Sequence, residues 1–503
     1  MLSAPTFGHL QFSDNYCQSV FFPMLFNSIQ FLLFLPIVFL LYWFVFNRSL
    51  RLQNAYILVA SYIFYGWWDW RFLLLIAFTS FCSWGSGIMI FRLQDRQKKK
   101  IVLYSNIIVN LGILAMFKYY DFFVTSFVEL VGLIGVSLHS TTLNLILPVG
   151  ISFYTFQALS YSIDVYRKDI KPTTDIVAYF AYVSFFPQLV AGPIERAKNL
   201  LPQILKRRIF DYNLAVDGCR QILWGFFKKV AVADNCAIFV DHVFSNYQNL
   251  NGSTLLLAAI LFTFQIYGDF SGYSDIAIGV SKLFGIKLKL NFHFPYFSRN
   301  LNEFWRRWHI SLNTWFVDYV YIPLGGNRRG KMALLRNTMV IFLLSGLWHG
   351  ANLTYVNWGG YHGVLLICAI LLGYNTKYKD VVAAGRLFPS IREIVKIAVV
   401  FLLVVYGWII FRADSMTQLF GYTERMFSAS LLSKPEIYEM NMNSKIMMIL
   451  ILLGTEWIMR GKEHGLDLSS FGCSALRWSI YSFLLFMIFA FGGNTINFIY
   501  FQF

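Results

Sequence analysis

Charged residues are scarce in this chain. Asp, Glu, Lys and Arg make up 14% of its 503 residues, against about 25% in an average soluble protein. Hydrophobic residues make up 57%, and the mean hydropathy is +0.54. So few charges cannot cover the surface of a soluble domain of this size. The composition excludes a soluble globular protein and predicts a chain whose main partner is the lipid bilayer.

Cysteine is also sparse, and several familiar chemical motifs are missing. The six cysteines are scattered, no two have CxxC spacing, and most lie in apolar runs. This pattern excludes a disulfide framework and a cysteine metal site. The sequence also lacks GxSxG, a P-loop and HExxH, so those hydrolase, nucleotide and zinc chemistries are excluded. We therefore expect no metal and no bound cofactor.

Apolar runs near the ~20-residue spanning length recur along the chain. They predict an all-α polytopic membrane protein with about 11–13 transmembrane helices, some further segments being re-entrant or interfacial. The candidate segments are 29–46, 55–68, 71–91, 101–117, 122–138, 144–163, 175–192, 214–240, 254–283, 332–349, 355–373, 394–411, 444–459 and 476–493.

The first 23 residues differ from the rest. They lack a basic stretch followed by an apolar core, so they do not resemble a signal peptide. A second methionine, Met24, leads directly into the first apolar run. We interpret 1–23 as a short tail or a misplaced start and 24–503 as one membrane domain.

The net charge of +16 has two explanations, nucleic-acid binding and the cytoplasmic bias of Lys and Arg in membrane proteins. No soluble basic domain is present, so we expect no nucleic-acid partner. The basic loops Asn47–Arg51 and Arg92–Lys100 are separated by two predicted spans, which puts both on the cytoplasmic side. The same count puts the N-terminus and the C-terminus outside.

The region between Gly268 and Gly350 is less regular. Asp269 and Asp275 lie in an apolar setting, where they either relay protons or form ion pairs with Lys282 or the pair Arg306–Arg307. The stretch Lys287–Trp315 is aromatic, basic and too polar to span a bilayer. It predicts amphipathic helices that lie at or dip into the cytoplasmic face.

Three of the eight histidines are candidates for function. His349 follows Arg336 by 13 residues, roughly 20 Å along a helix, which puts it past the membrane midplane. His309 follows two arginines and is expected near the inner face. Two polar sites at different depths suggest a passage, although a pair of buried structural histidines explains the pattern too. His362, in GGYHG, is expected either to act or to support helix packing.

A histidine inside the membrane is suited to acyl transfer. Neutral imidazole can take a proton from a hydroxyl group and make its oxygen nucleophilic toward an acyl carbonyl. A dry pocket between tryptophans disfavours the charged ring and keeps the imidazole neutral.

Long stretches of the chain resemble a known family. The sequences FWRRWHISLNTWFVDYVYIPLGGNRRG and LSGLWHGANLTYVNWGGYHG are similar to the signature of the membrane-bound O-acyltransferase (MBOAT) family. Three further stretches resemble its bacterial alginate O-acetylase branch: LPVGISFYTFQALSYSIDVYR, FFPQLVAGPIER and YGDFSGYSDIAIG. The resemblance covers nearly everything from Met24 to Phe503.

The resemblance implies a ring of helices around a central tunnel and an acyl group, usually acetyl, taken from a cytosolic coenzyme A thioester. In it His349 matches the invariant active-site histidine, and His309 matches a second conserved histidine nearer the cytosol. It also implies a partner with an extracytoplasmic hydrolase-like domain that completes transfer to a polysaccharide of the cell surface.

These expectations give roles to individual residues. Acetyl-CoA passes Arg306, Arg307 and His309, and His349 acts as the general base. Trp305 and Trp348 line the site and exclude water.

The final residues, FIYFQF, resemble a C-terminal motif of the same branch and of a small companion protein in teichoic-acid D-alanylation. Tyr500 is therefore a candidate acyl carrier or an aromatic anchor at the interface.

Two rival functions stay open at this point. One is O-acylation of peptidoglycan, teichoic acid or a lipid instead of an alginate-like polysaccharide. The other is a transporter that uses the same polar tunnel without catalysis, against which the absence of an internal repeat counts modestly.

Overall fold

The computed structural model describes residues 24–139, 141–374, 378, 380–437, 441–469, 471–493 and 498–499. These residues form helices and loops without a β-strand, which confirms the predicted all-α class. Tyr500 lies outside the described residues.

The described part of the chain forms twenty α-helices. Their bounds are α1 Ile29–Leu40, α2 Leu50–Gly66, α3 Arg71–Arg92, α4 Arg96–Lys118, α5 Tyr120–Gly132, α6 Ile151–Arg167, α7 Ile176–Ser184, α8 Phe186–Leu189, α9 Ala197–Ile204, α10 Tyr212–Phe226, α11 Asp234–Ser245, α12 Gly252–Leu283, α13 Leu301–Arg307, α14 Ile310–Phe316, α15 Lys331–His349, α16 Leu353–Leu371, α17 Ile391–Arg412, α18 Met416–Met426, α19 Met442–Ile458 and α20 Ser474–Phe491. Short π-helical segments follow α1, α10 and α14, at Leu41–Val45, Phe227–Ala233 and Val317–Tyr321.

Six of these helices are long and apolar enough to cross a bilayer, namely α3, α4, α12, α15, α17 and α20. Helix α12 has 32 residues, and 83% of its apolar window is buried inside the protein, whereas the figure for α20 is 11%. Helix α12 therefore forms the centre of the fold, and α20 lies at its periphery.

Two predicted spans differ from the helices that form. The segment 144–163 becomes helical only at α6, because Gly150 takes φ +73° and its Cα closely approaches the main chain. A Cβ at Gly150 would lie 2.5 Å from the carbonyl oxygen of Leu189, so only glycine fits this turn. The predicted span 175–192 is interrupted at Phe185, whose ψ of 108° ends α7.

Helices α10 and α12 touch backbone to backbone. A Cβ at Gly225 would lie 2.6 Å from the carbonyl oxygen of Gly272, and one at Gly272 would lie 2.7 Å from that of Gly225. Gly218 and Gly279 form a second reciprocal pair at 2.6 Å. Along each helix the two glycines are seven residues apart, about two helical turns, so both lie on the same face. Small residues that allow close approach are a recurrent means of packing membrane helices.

The stretch Lys287–Trp315 folds into the protein interior. It contains the short helix α13 and most of α14, and the buried Trp308 packs against Trp408 of α17 with ring centroids 4.8 Å apart. Of the two placements expected from the sequence, the dipping one therefore agrees better with the structure. The aromatic side chains explain this, because burying their rings against α12 and α17 is more favourable than exposing them along a polar surface.

Candidate active site

His349 is the last residue of α15, and α15 packs tightly against α16. A Cβ at Gly346 would lie 2.2 Å from the carbonyl oxygen of Tyr355, and one at Gly359 would lie 2.2 Å from that of Phe342. These glycines let the two helices approach closely on either side of the turn that carries His349. The side chain of His349 is consequently held on a rigid hairpin, which is how a reactive group is kept in place.

Aromatic rings enclose His349. Its ring centroid lies 4.9 Å from Trp348, 5.1 Å from Trp358 and 5.2 Å from Phe411, each in an edge-on arrangement. His349 is 5% exposed. Three aromatic rings therefore cover the imidazole, and Trp348 lines the site, as the sequence predicts.

His309 belongs to the same site. Its ring centroid is 6.4 Å from that of His349 and 5.7 Å from Trp348. The depth estimate from sequence, which put the two histidines in separate halves of the membrane, is therefore wrong. The physical reason is that Lys287–Trp315 turns inward, and His309 sits at the bend before α14 with φ +45°.

A side-chain amide determines which nitrogen of His309 carries the proton. Nδ1 of His309 lies 3.2 Å from Oδ1 of Asn291, and this oxygen also accepts from the main-chain N–H and the hydroxyl of Ser311. The Ser311 N–H identifies the atom as the amide oxygen, which can only accept. In neutral His309 the proton therefore sits on Nδ1, and Nε2 presents a lone pair.

Lys118 is a residue of this site that the sequence reasoning missed. Its Nζ donates to the main-chain oxygens of Trp348 at 2.7 Å and His349 at 3.0 Å. The neighbouring Tyr119 donates its hydroxyl to the carbonyl of Leu347 at 3.0 Å. The end of α4 thus satisfies carbonyls in the last turn of α15, which lack partners within the helix. The sequence does contain one indication of this residue, since Lys118 is a single lysine directly after the predicted span 101–117.

A small cavity adjoins His349. It measures ≈ 80 Å³ and is lined by Lys118, Trp348, His349 and the chain from Leu147 to Phe153. One water molecule occupies about 30 Å³ in the liquid, so the space suits an acetyl group or a few waters. It is too small for a whole coenzyme.

The other aromatic and basic candidates surround this centre at greater distance. Trp305 contacts Trp358 at 5.6 Å and His362 at 4.9 Å between centroids, so Trp358 lies between its ring and His349. Arg307 forms an ion pair of 2.9 Å with Glu303. Arg306 is exposed and donates to the main-chain oxygen of Tyr378 at 3.1 Å.

His362 is buried in the same aromatic cluster. Its ring lies 5.2 Å from Trp358, and a Cβ at Gly407 of α17 would be 2.5 Å from its Nε2. The ring fills the space that the small residue leaves between α16 and α17. This geometry favours the packing interpretation of His362.

Asp269 and Asp275 are ion-paired, but with partners other than those expected. Asp269 lies 2.7 Å from Lys229, and Asp275 lies 2.5 Å from Lys228. Both lysines belong to the π-helical segment after α10, which turns them toward α12. The expected pairing with Lys282 or with Arg306–Arg307 is therefore wrong.

Lys282 instead binds Asp217, at 2.5 Å. Among the described residues, no three His, Cys, Asp or Glu side chains are arranged to hold a metal ion.

The C-terminal segment reaches this region of α12. The main-chain N–H of Ile499 donates to Oδ2 of Asp269 at 2.6 Å. The ring of Phe498 lies 6.2 Å from Phe270, whose own ring is 4.7 Å from His309. Phe498 and Ile499 are buried. The chain is thus anchored one residue before Tyr500, next to a phenylalanine that contacts His309.

The sequence of the chain matches those of known proteins. Residues 62–378 match the model of the membrane-bound O-acyltransferase family. The chain is 40% identical over 424 residues to the "Probable alginate O-acetylase AlgI" of Pseudomonas aeruginosa, covering 83% of this chain and 78% of that protein.

Two other relatives carry different names. The chain is 34% identical to the "Peptidoglycan O-acetyltransferase" of Helicobacter pylori, over 78% of each protein. It is 30% identical to the "Teichoic acid D-alanyltransferase" of Bacillus subtilis, over 54% of this chain and 70% of that protein. All three names describe transfer of an acyl group, to alginate, to peptidoglycan or to teichoic acid.

Proposed function

Because the chain belongs to the membrane-bound O-acyltransferase family and is an O-acyltransferase, we propose that it acetylates an exported polysaccharide of the alginate type. The donor in this proposal is acetyl-CoA, reached from the cytosol past Arg306 and Arg307. The acceptor hydroxyl lies outside the membrane. The observation that carries the proposal is the pair His349 and His309, whose ring centroids lie 6.4 Å apart, with His349 lining a cavity of ≈ 80 Å³.

The chemical step follows from a neutral imidazole in an apolar enclosure. His349 removes the proton of a hydroxyl group while the hydroxyl oxygen attacks the thioester carbonyl. A C–O bond forms, the C–S bond breaks, and the thiolate leaving group takes the proton back from the imidazolium. His309, whose Nδ1 is held by Asn291, orients the substrate through Nε2. The aromatic walls limit competing hydrolysis by water.

The first acceptor in this proposal is the hydroxyl of Tyr500. Acyl-CoA is cytosolic, whereas the polysaccharide is outside, so a carrier on the protein bridges the two. The hydrogen bond from Ile499 to Asp269 supports this role, since it anchors the residue before Tyr500. The adjacent Phe498 contacts Phe270, which in turn contacts His309. An extracytoplasmic hydrolase-like partner then moves the acetyl group from Tyr500 to the polysaccharide.

We place the protein in the bacterial cytoplasmic membrane with both termini outside. The basic loops support this orientation, and it brings Tyr500 to the outer side. A different acceptor remains the second candidate, because the relative from Helicobacter pylori is named for peptidoglycan O-acetylation.

Radiolabelled acetyl-CoA given to the purified protein tests the proposal. Wild type should release labelled acetate or retain label on the chain, and His349→Ala should do neither. Tyr500→Phe should lose only the protein-bound label. Turnover that persists in His349→Ala would refute the assigned base, and bound label that persists in Tyr500→Phe would refute the carrier.

The acceptor needs a separate assay with the co-purified partner. Acetylated alginate-type polysaccharide is the expected product. Acetyl transfer to peptidoglycan fragments but not to the polysaccharide would replace it with the second candidate.

A further inference from the structure

A second, much larger cavity lies on the periphery of the protein. It measures ≈ 1020 Å³ and is lined by parts of α1, α10 and α20 together with chain near the end of α12. Apolar side chains such as Phe39, Leu223 and Leu283 form much of its wall. None of its lining residues lines the cavity at His349. We call it the peripheral groove.

Two arginines give the peripheral groove a positive charge. Arg220 of α10 and Arg477 of α20 both line it, and Arg220 donates through Nε to the hydroxyl of Tyr481 across the groove at 2.8 Å. Within the described residues neither guanidinium forms an ion pair with a carboxylate. Asp217 also lines the groove, but its oxygens bind Lys282 at 2.5 Å and His464 at 3.0 Å.

Two observations relate the peripheral groove to the interface between the bilayer and water. Most of α20 faces outward, with 11% of its apolar window buried. The rings of Tyr212 and Trp478, 71% and 66% exposed, lie at its rim. Tyrosine and tryptophan concentrate where the hydrocarbon meets the headgroups. The groove thus combines two cations, an apolar wall and the kind of aromatic side chains that lie at the membrane interface.

We propose that the peripheral groove binds an anionic phospholipid. The guanidiniums of Arg220 and Arg477 bind its phosphate, a ligand that their planar donor groups fit. The acyl chains lie along Phe39, Leu223 and Leu283. Basic pockets between membrane helices are a known physical basis for selecting anionic headgroups. A nucleotide-bearing coenzyme shares the phosphate chemistry but leaves the apolar wall without a partner.

Lipid retention by the purified full-length protein tests this site. Wild type is mixed with phosphatidylglycerol or with phosphatidylcholine of the same acyl chains, and bound lipid is measured by native mass spectrometry alongside Tm. The test variant is Arg220→Gln with Arg477→Gln. The matched control is Arg92→Gln with Arg96→Gln, which removes two exposed arginines from another basic loop.

We expect wild type and the control variant to retain phosphatidylglycerol over phosphatidylcholine and to gain Tm with it. The test variant should bind phosphatidylglycerol roughly tenfold or more weakly, since charged hydrogen bonds are lost. A double Arg→Lys variant at the same positions keeps the charge but loses the planar donor groups, so its affinity for phosphatidylglycerol should lie between those of wild type and the glutamine variant. This second variant keeps the test decisive if the glutamine variant folds poorly.

Three results would overturn the proposal. Wild type could retain both lipids equally, or the glutamine variant could keep the selectivity. In the third, inorganic phosphate or coenzyme A displaces phosphatidylglycerol and binds with the same dependence on the two arginines, which would make the groove a site for a soluble phosphate ligand.

Discussion

The Nζ of Lys118 lies 3.0 Å from the main-chain oxygen of His349 and donates a hydrogen bond to it. The same ammonium binds the carbonyl of Trp348 at 2.7 Å. One residue of α4 thereby fixes the turn that carries the proposed base, and these bonds do not involve the imidazole ring itself.

Replacing Lys118 by methionine should lower kcat while leaving KM for acetyl-CoA nearly unchanged. Methionine keeps the length of the side chain but gives the two carbonyls no donor. Loss of about 2 kcal/mol of positioning corresponds to a roughly thirtyfold fall in kcat. Lys118→Arg retains donors and should recover most of the activity. Wild-type kcat in the methionine variant would show that Lys118 does not position His349.

Much of the fold is readable from the sequence because spanning helices need long apolar runs. Segments such as 71–91 and 254–283 were predicted within a few residues of α3 and α12. The bend at Gly150 was missed, since it depends on a contact with Leu189, which is distant in sequence. A pattern of neighbouring residues contains no information about contacts between residues that are distant in sequence.

The site was predictable only in part. His349 stands out as a polar residue at membrane depth, and its placement in an aromatic enclosure agrees with expectation. Its proximity to His309 was not foreseen, because His309 follows two arginines and was expected near the inner face, whereas Lys287–Trp315 turns into the protein interior. Lys118 was not foreseen either, since its partners are main-chain atoms, which no side-chain motif records.

Asn291→Ala should reduce kcat by about tenfold to a hundredfold, the usual effect of removing a group that orients a functional histidine. Alanine cannot accept the Nδ1–H of His309, so the ring loses its fixed proton position. Ser311→Ala removes the hydroxyl that shares the same amide oxygen and serves as the control, with a much smaller effect expected. Steady-state kinetics with acetyl-CoA distinguish the two. Equal losses in both variants would point to general damage of the loop.

Gly272→Ala should destabilise the protein by about 1–3 kcal/mol, as added volume in a packed contact does. The new methyl group would lie 2.7 Å from the carbonyl oxygen of Gly225, and a main-chain atom cannot move aside cheaply. Gly112→Ala in α4 is the matched control, because no heavy atom from outside its own stretch of helix lies within 4 Å of its Cβ position. There the better helix propensity of alanine should keep or raise stability. Thermal unfolding in detergent measures both, and an unchanged Tm for Gly272→Ala would contradict the close contact.

Asp269→Ala should lower protein-bound acetyl label while acetyl-CoA hydrolysis at His349 continues. The substitution removes the acceptor for the Ile499 N–H, so the segment before Tyr500 loses its anchor; Lys229 keeps Asp234, 2.8 Å away, as a partner. The matched control is Asp275→Ala, which removes another carboxylate of α12 but leaves the hydrogen bond between Ile499 and Asp269 in place. We expect label to fall in Asp269→Ala and in Tyr500→Phe and to persist in Asp275→Ala. Equal loss in both aspartate variants would mean that labelling depends on the general integrity of the ion pairs and not on the anchored C-terminal segment.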